Sequence, residues 1–110
     1  MLHTTLSQIE KRLATSQTLT DENRTELLQL LATLRAEINS LPPTENERAQ
    51  SIASFTDIST HEATRSDPNT RLRQISLEGL AASVSGFEGS HPRLVHLVNT
   101  LCQTLANMGI

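Results

Sequence analysis

Leu2, Leu6, Ile9 and Leu13 stand 4, 3 and 4 residues apart, and Leu27, Leu31, Leu34, Ile38 and Leu41 repeat the same alternation further along the chain. Spacing of this kind returns side chains to one side of an α-helix at every turn and does not match the two-residue period of a strand. The residues that favour strands are scarce: there is no Trp or Tyr, the only phenylalanines are Phe55 and Phe87, and valine occurs only at Val84, Val95 and Val98. Leu, Ile, Val and Phe still make up about a quarter of the chain, above the ~20% below which chains tend to stay unfolded. These features predict an all-α protein, a small helical bundle built on an antiparallel helical hairpin with coiled-coil-like heptads. At 110 residues it has the size of one domain.

The first stripe predicts a helix over 2–16. "TLTDEN" then offers Thr20 as an N-cap, with Asp21 and Glu22 in the first turn, where their charge suits the helix dipole. The second helix runs to the pair Pro42-Pro43, and Leu28 and Leu30 widen its apolar face beyond a two-helix seam. Residues 1–41 thus read as an N-terminal hairpin. Leucine is absent between Leu41 and Leu72, where Ser, Thr, Asn and Glu take over. Thr44 and Glu47 fit a capping box, which predicts a third helix over 45–65. Its thin stripe of Ala49, Ile52, Ala53, Phe55, Ile58 and Ala63 predicts loose attachment, so 42–71 is expected to be a polar, mobile arm or peripheral layer. "SDPNT" predicts a turn, with Asn69 or Thr70 capping a fourth helix.

Residues 72–110 read as a C-terminal helical pair. Leu72, Ile75, Gly79 or Leu80, Val84 and Phe87 form a fourth stripe, weakened by Gly79, Ser83, Ser85 and Gly86. Beyond it lies a corner plugged by Phe87, where Ser90 or His91 caps a last helix with Pro92 in its first turn. That helix, over 92–108, carries Leu94, Val95, Leu97, Val98, Leu101, Cys102, Leu105 and Met108, and no charged side chain comes after Arg93. Surface helices ordinarily carry charge on their wet face, so this one is expected at the centre of the bundle or in a subunit interface. Gly109 in the left-handed position would set Ile110 against Leu105 as a C-terminal cap.

Charge and motifs exclude more than they assign. A formal charge of −3 and a pI near 5.7 give no electrostatic footprint for nucleic acid or an anionic membrane surface. The start lacks the basic and apolar regions of a signal peptide, and no run of about 18 apolar residues occurs, so a soluble, cytoplasmic protein is expected. Cys102 is the single cysteine and is expected to be a buried, unreactive thiol. His3, His61, His91 and His96 offer no pair at metal-binding spacing, and no cofactor is expected. Ser90 beside His91 is adjacency in sequence, which does not make a catalytic triad. No Gly-rich phosphate loop occurs. Arg65, Arg71 and Arg73 gather around "SDPNT" and could hold an anion, although Glu62 and Asp67 argue for a solvated turn.

"FEGSHPRLVHLVNTLCQTLANMGI" closely resembles the C-terminal signature of the bacterial domain of unknown function 4404 family, and Leu2 to Leu41, with "LTDENRTELLQLL", is similar to that family's opening helical hairpin. The stretch from Pro42 to Asn69 looks longer and more polar than the family's middle. The resemblance implies a small, soluble, helical bacterial protein and implies no activity.

The chain therefore reads as a non-enzymatic interaction or self-assembly module, a homodimer in first place. Its core and buried surfaces are expected from Leu27, Leu31, Leu34, Ile38, Leu94, Leu97, Val98, Leu101, Leu105 and Met108, with an unidentified protein as the other candidate partner. The rival reading is a small ligand-binding bundle using the Phe87, Ser90 and His91 corner. A weaker one is anion or nucleic acid binding through Arg65, Arg71 and Arg73.

Overall fold

The computed structural model describes residues 2–108, which form five α-helices and no strand: α1 (Leu2–Thr15), α2 (Asp21–Asn39), α3 (Asn46–Thr64), α4 (Thr70–Ser83) and α5 (Pro92–Met108), with a 3-10 turn at Pro43–Glu45. The helices pack in the cyclic order α1, α2, α5, α4, α3 and back to α1, and α3 also reaches α5. One apolar core joins all five, from Leu6 and Ile9 on α1 through Leu34, Ile52 and Leu80 to Leu94 and Leu105.

The α1–α2 hairpin is held at its closed end by Arg24. Its guanidinium donates to the carbonyls of Leu13, Ser16 (2.9 Å) and Leu19 (3.3 Å), satisfying acceptors at and beyond the C-terminus of α1. Thr20 is the N-cap of α2, its hydroxyl accepting from the Asn23 N–H at 3.1 Å. Nearer the open end, Arg35 of α2 binds Glu10, Ser7 and His3 of α1.

Thr44 does not cap α3. A proline's fixed φ suits the first turn of a helix, and the chain turns helical already at Pro43, with the Glu45 N–H donating to the Pro42 carbonyl at 2.9 Å. Thr44 is therefore inside that turn, and Glu45 precedes α3 without a side-chain capping bond.

The expected arm is also revised. α3 lies against α1, α4 and α5 and closes the ring. Ala49, Ile52 and Ala53 are buried, and so are Thr56, Ser59 and Thr60. These hydroxyls are satisfied locally: Thr56 donates to the Ile52 carbonyl, Thr60 to that of Thr56 and Thr64 to that of Thr60, each at 2.7 Å. Ser59 donates across to the Ser76 carbonyl of α4 at 3.0 Å. Arg12 of α1 pairs with Asp57 at 2.5 Å, and the Thr18 hydroxyl donates to the Thr64 carbonyl at 2.7 Å.

The expected fourth stripe, on α4 and just beyond it, holds at Leu80, Val84 and Phe87, which are buried, and fails at its first two positions. Asn69 caps the helix, accepting from the Leu72 N–H at 2.9 Å, but the buried positions are Ser76 and Leu80, while Leu72 and Ile75 are 43% and 46% exposed. Gly79, which looked like a weakness, forms the seam with α3 together with Ser76. The Phe55 ring lies so close to Gly79 that a Cβ there would overlap its edge. α5 likewise is one member of the ring and not its centre: Leu94, Leu97, Val98, Leu101 and Leu105 face inward, while His96, Asn99, Gln103 and Asn107 lie toward the outside. Gly109 and Ile110, with the expected cap, lie outside the described residues.

Gly79→Ala sets a helix-propensity gain of about 1 kcal/mol against overpacking of Phe55, which costs about 1–3 kcal/mol. Urea unfolding should show Gly79→Ala destabilising in the wild-type background and stabilising in a Phe55→Ala background. The same sign in both backgrounds would disprove the close approach.

Candidate interaction surface

The sequence points to three places, which differ sharply in what they leave available. At the corner between α4 and α5, Phe87 is buried and capped on one face by the Arg48 guanidinium, 3.8 Å from the ring centroid. His91 meets the ring edge-on, centroids 5.5 Å apart and planes at 84°. Gly86 has φ +96°, a left-handed conformation that admits the turn, and its N–H donates to Glu88 at 2.7 Å. The His91 N–H donates to the Phe87 carbonyl at 2.7 Å, and the His91 carbonyl accepts from Val95 at 3.3 Å, which puts His91 at the backbone position that starts α5. Ser90 lies 3.0 Å from the His91 ring through its hydroxyl, and Pro92 opens the helix. Arg48 also donates to the Ser85 carbonyl and pairs with Glu45 at 3.6 Å. The polar groups of this corner are thus engaged with one another around a filled centre.

The three arginines do not converge. Arg65 is paired with Glu62 at 2.8 Å and with Asp67 at 4.0 Å, and the Glu62 hydrogen bond raises its pKa above the ordinary value. Arg65 and Arg73 line one hollow of about 190 Å³ with Pro68 and Met108. Arg71, two residues from Arg73, lies about 160° around the helix from it and outside that hollow. Among the described residues no group of three or more His, Cys, Asp or Glu could hold a metal. No described helix is long and apolar enough to cross a membrane.

The core residues named from the sequence lie inside the protein. Leu27, Leu31, Leu34 and Ile38 on α2, and Leu94, Leu97, Val98, Leu101 and Leu105 on α5, are buried, with Met108 packed partly against them. They are consumed by the fold of one chain, so any interface must use other residues. A shallow hollow of about 650 Å³ lies on the surface along the packed pair α2 and α5, lined by Leu30, Thr33, Glu37, Arg93 and His96 among others.

The surface that sequence reasoning missed is the outer face of the α3–α4 hairpin. The three large hydrophobic side chains exposed among the described residues are Ile58 (48%), Leu72 and Ile75, and all belong to this pair of helices. The contacts Phe55 to Gly79 and Ser59 to Ser76 fix the antiparallel register, bringing Ile58 level with Ile75. One turn separates Ile58 from Phe55 on the same ridge of α3, and Leu72, Ile75, Gly79 and Ala82 succeed one another at spacings of 3, 4 and 3 along α4. A groove of about 340 Å³ at the far end, lined by Ser51, Phe55, Gly79 and Ala82, continues the same face. The signal present in the sequence is that 3-4-3 spacing. It points to the core only if the seam between α3 and α4 needs large side chains, and the seam is built from small ones.

The described residues thus form a helical bundle with a filled corner, divided cations and an apolar outer face on its α3–α4 hairpin. Residues 27–110 match the family model described as Domain of unknown function (DUF4404), and the chain belongs to that family. The match begins within α2, so α1 lies outside it. No curated protein and no solved structure matches the chain.

Cys102 is half-buried on α5, its thiol directed to the Leu77 carbonyl at 3.8 Å, and burial pushes its pKa above the ordinary thiol value. The thiolate is the reactive form, so labelling by Ellman's reagent at pH 8 should be at least about tenfold slower in native protein than in urea. Because the folded pKa lies above the unfolded one, this group's contribution to stability is present at neutral pH and declines as pH rises past the unfolded value. Equal labelling rates in both states would refute the burial argument.

Proposed function

We propose that this protein is a non-enzymatic helical interaction module that docks through the outer face of its α3–α4 hairpin. The observation that supports this most is the concentration of Ile58, Leu72 and Ile75 on one face while every other large apolar side chain among the described residues is wholly or partly buried. Scattered exposed hydrophobics are ordinary, but a contiguous patch is the usual mark of a surface that meets another molecule. Small exposed residues flank the patch, with Ser51 on α3 and Ala82 on α4, so a partner can approach the helix backbones closely. The remainder of the structure is a platform for this face: Arg12–Asp57 and Thr18–Thr64 tie α1 and the loop after it to α3, and Arg48 of α3 holds the Phe87 corner between α4 and α5.

Ile75→Lys tests the reading. Ile75 is nearly half exposed, so its replacement should change stability by no more than about 0.5 kcal/mol. The variant should melt like wild type yet lose both self-association in sedimentation and capture of protein from extract of the native host. Retention of every wild-type association by a folded Ile75→Lys protein would remove the face from consideration.

A further inference from the structure

The partner that this face fits best is a second copy of the same chain, an inference that rests on the docking reading above. Along α4 the residues Leu72, Ile75, Gly79 and Ala82 occupy alternating a and d positions of a heptad, and Arg71 and Glu78, seven residues apart, both fall at the g position beside that seam. Both side chains are exposed, and neither enters a salt bridge among the described residues. Among the described residues Glu78 accepts a hydrogen bond from the Gln74 amide, at 3.4 Å. In an antiparallel pair of helices related by a two-fold axis, g positions face g positions.

We propose that two copies pack α4 against α4 antiparallel about a two-fold axis close to Gln74. In that arrangement Leu72 packs on Ile75 of the partner subunit, and Arg71 pairs with Glu78 of the partner subunit. The symmetry forms each contact twice. Ile58 of α3 lies level with Ile75 and broadens the apolar centre on the α3 side, while the charges lie on the opposite side of α4. The face is self-complementary, as an isologous interface requires: one cation and one anion sit at nearly equal distances on either side of the axis. A parallel pairing would instead set g positions against e positions, leaving Arg71 and Glu78 opposite Ser76 and Ser83 with no charge to meet, so the charges favour the antiparallel arrangement.

The size of the face sets the strength. α4 spans Thr70–Ser83, so an axis close to Gln74 overlaps about nine of its residues with those of the partner, about 13 Å of helix, and a face two helices wide adds about 20 Å across. The footprint is on the order of 300 Å² per copy, about a third of that of a standard protein interface. The dimer is therefore a weak one, formed and dissolved with concentration.

The test is a charge exchange on the full chain. Arg71→Glu and Glu78→Arg are each prepared alone, and both are expected to melt like wild type because the side chains are exposed. Sedimentation equilibrium over a wide concentration range should show a wild-type dimer and a loss of affinity of about tenfold or more in each variant, from like charges set opposite one another. An equimolar mixture of the two should form a 1:1 heterodimer at least as tight as wild type, because one chain then carries two glutamates and the other two arginines. Wild-type affinity in both single variants, or a mixture no tighter than its components, would overturn the pairing. If wild type stays monomeric while Ile75→Lys abolishes stoichiometric capture of a foreign protein, the docking reading stands and the second copy is wrong. If neither association exists, the docking reading itself fails.

Discussion

A helix with few large apolar side chains enters a protein core only if its polar groups find partners there, and α3 meets that condition within its own backbone. Thr56, Thr60 and Thr64 each return their hydroxyl proton to the carbonyl four residues earlier, and Ser59 reaches the Ser76 carbonyl of α4. An unpaired buried hydroxyl costs about 1–3 kcal/mol, so a row of them without partners would expel the helix. With partners, the methyl groups of the threonines pack as small apolar groups. No buried side-chain N or O among the described residues lacks a hydrogen bond. α3 can therefore stand between α1 and α4 and close a ring that would otherwise be open.

Small side chains in the seam also decide how α4 is turned. Ser76 and Gly79 face α3, because only such residues let the two backbones approach closely enough for the Phe55 ring to lie on Gly79 and for Ser59 to reach a carbonyl. With those residues turned inward, Leu72 and Ile75 are carried outward with Ile58 beside them. The exposed apolar face is thus the geometric counterpart of a close seam. A seam made from Leu72 and Ile75 would have buried those two side chains and set Ser76 toward solvent.

The same difference separates the helices whose packing is legible in the sequence from those whose packing is not. On α1, α2 and α5, where leucine-rich stripes recur at helical spacing, the helices form with their stripes inward, because burying leucine outweighs the other local preferences there. The side-chain caps Thr20 and Asn69 act through a bond to a backbone N–H three residues on, a rule that is local and readable. The position of α3 is not readable from its own residues. Whether a Ser/Thr-rich ridge faces water or a neighbouring helix depends on the partner across the seam, and that partner's glycine and serine look like defects when read alone. The Thr44 cap is absent for a related reason: a proline pair upstream begins the helical turn earlier than the capping pattern implies. The three arginines are near in sequence and separated by the helix, since two residues along α4 is more than a third of a turn away from a shared face.

The seam and the outer face are not independent, and Gly79 belongs to both. On the seam it receives Phe55; on the outer face it occupies a heptad position that has no side chain of its own, which the ring from α3 fills. The face therefore exists in its full width only while α3 and α4 keep their register. Displacing the Phe55 ring would open a gap at the heptad position next to Ile75 and shift Ile58 relative to it. Ser59 pins the same register from the buried side through the Ser76 carbonyl. A substitution at Ser59, which is wholly buried, should thereby disturb the outer face as well as the fold, whereas substitutions at the exposed Arg71 and Glu78 should leave the fold as it is. That contrast arises from the antiparallel pairing of two short helices, in which one set of close contacts defines both what the chain buries and what it leaves open.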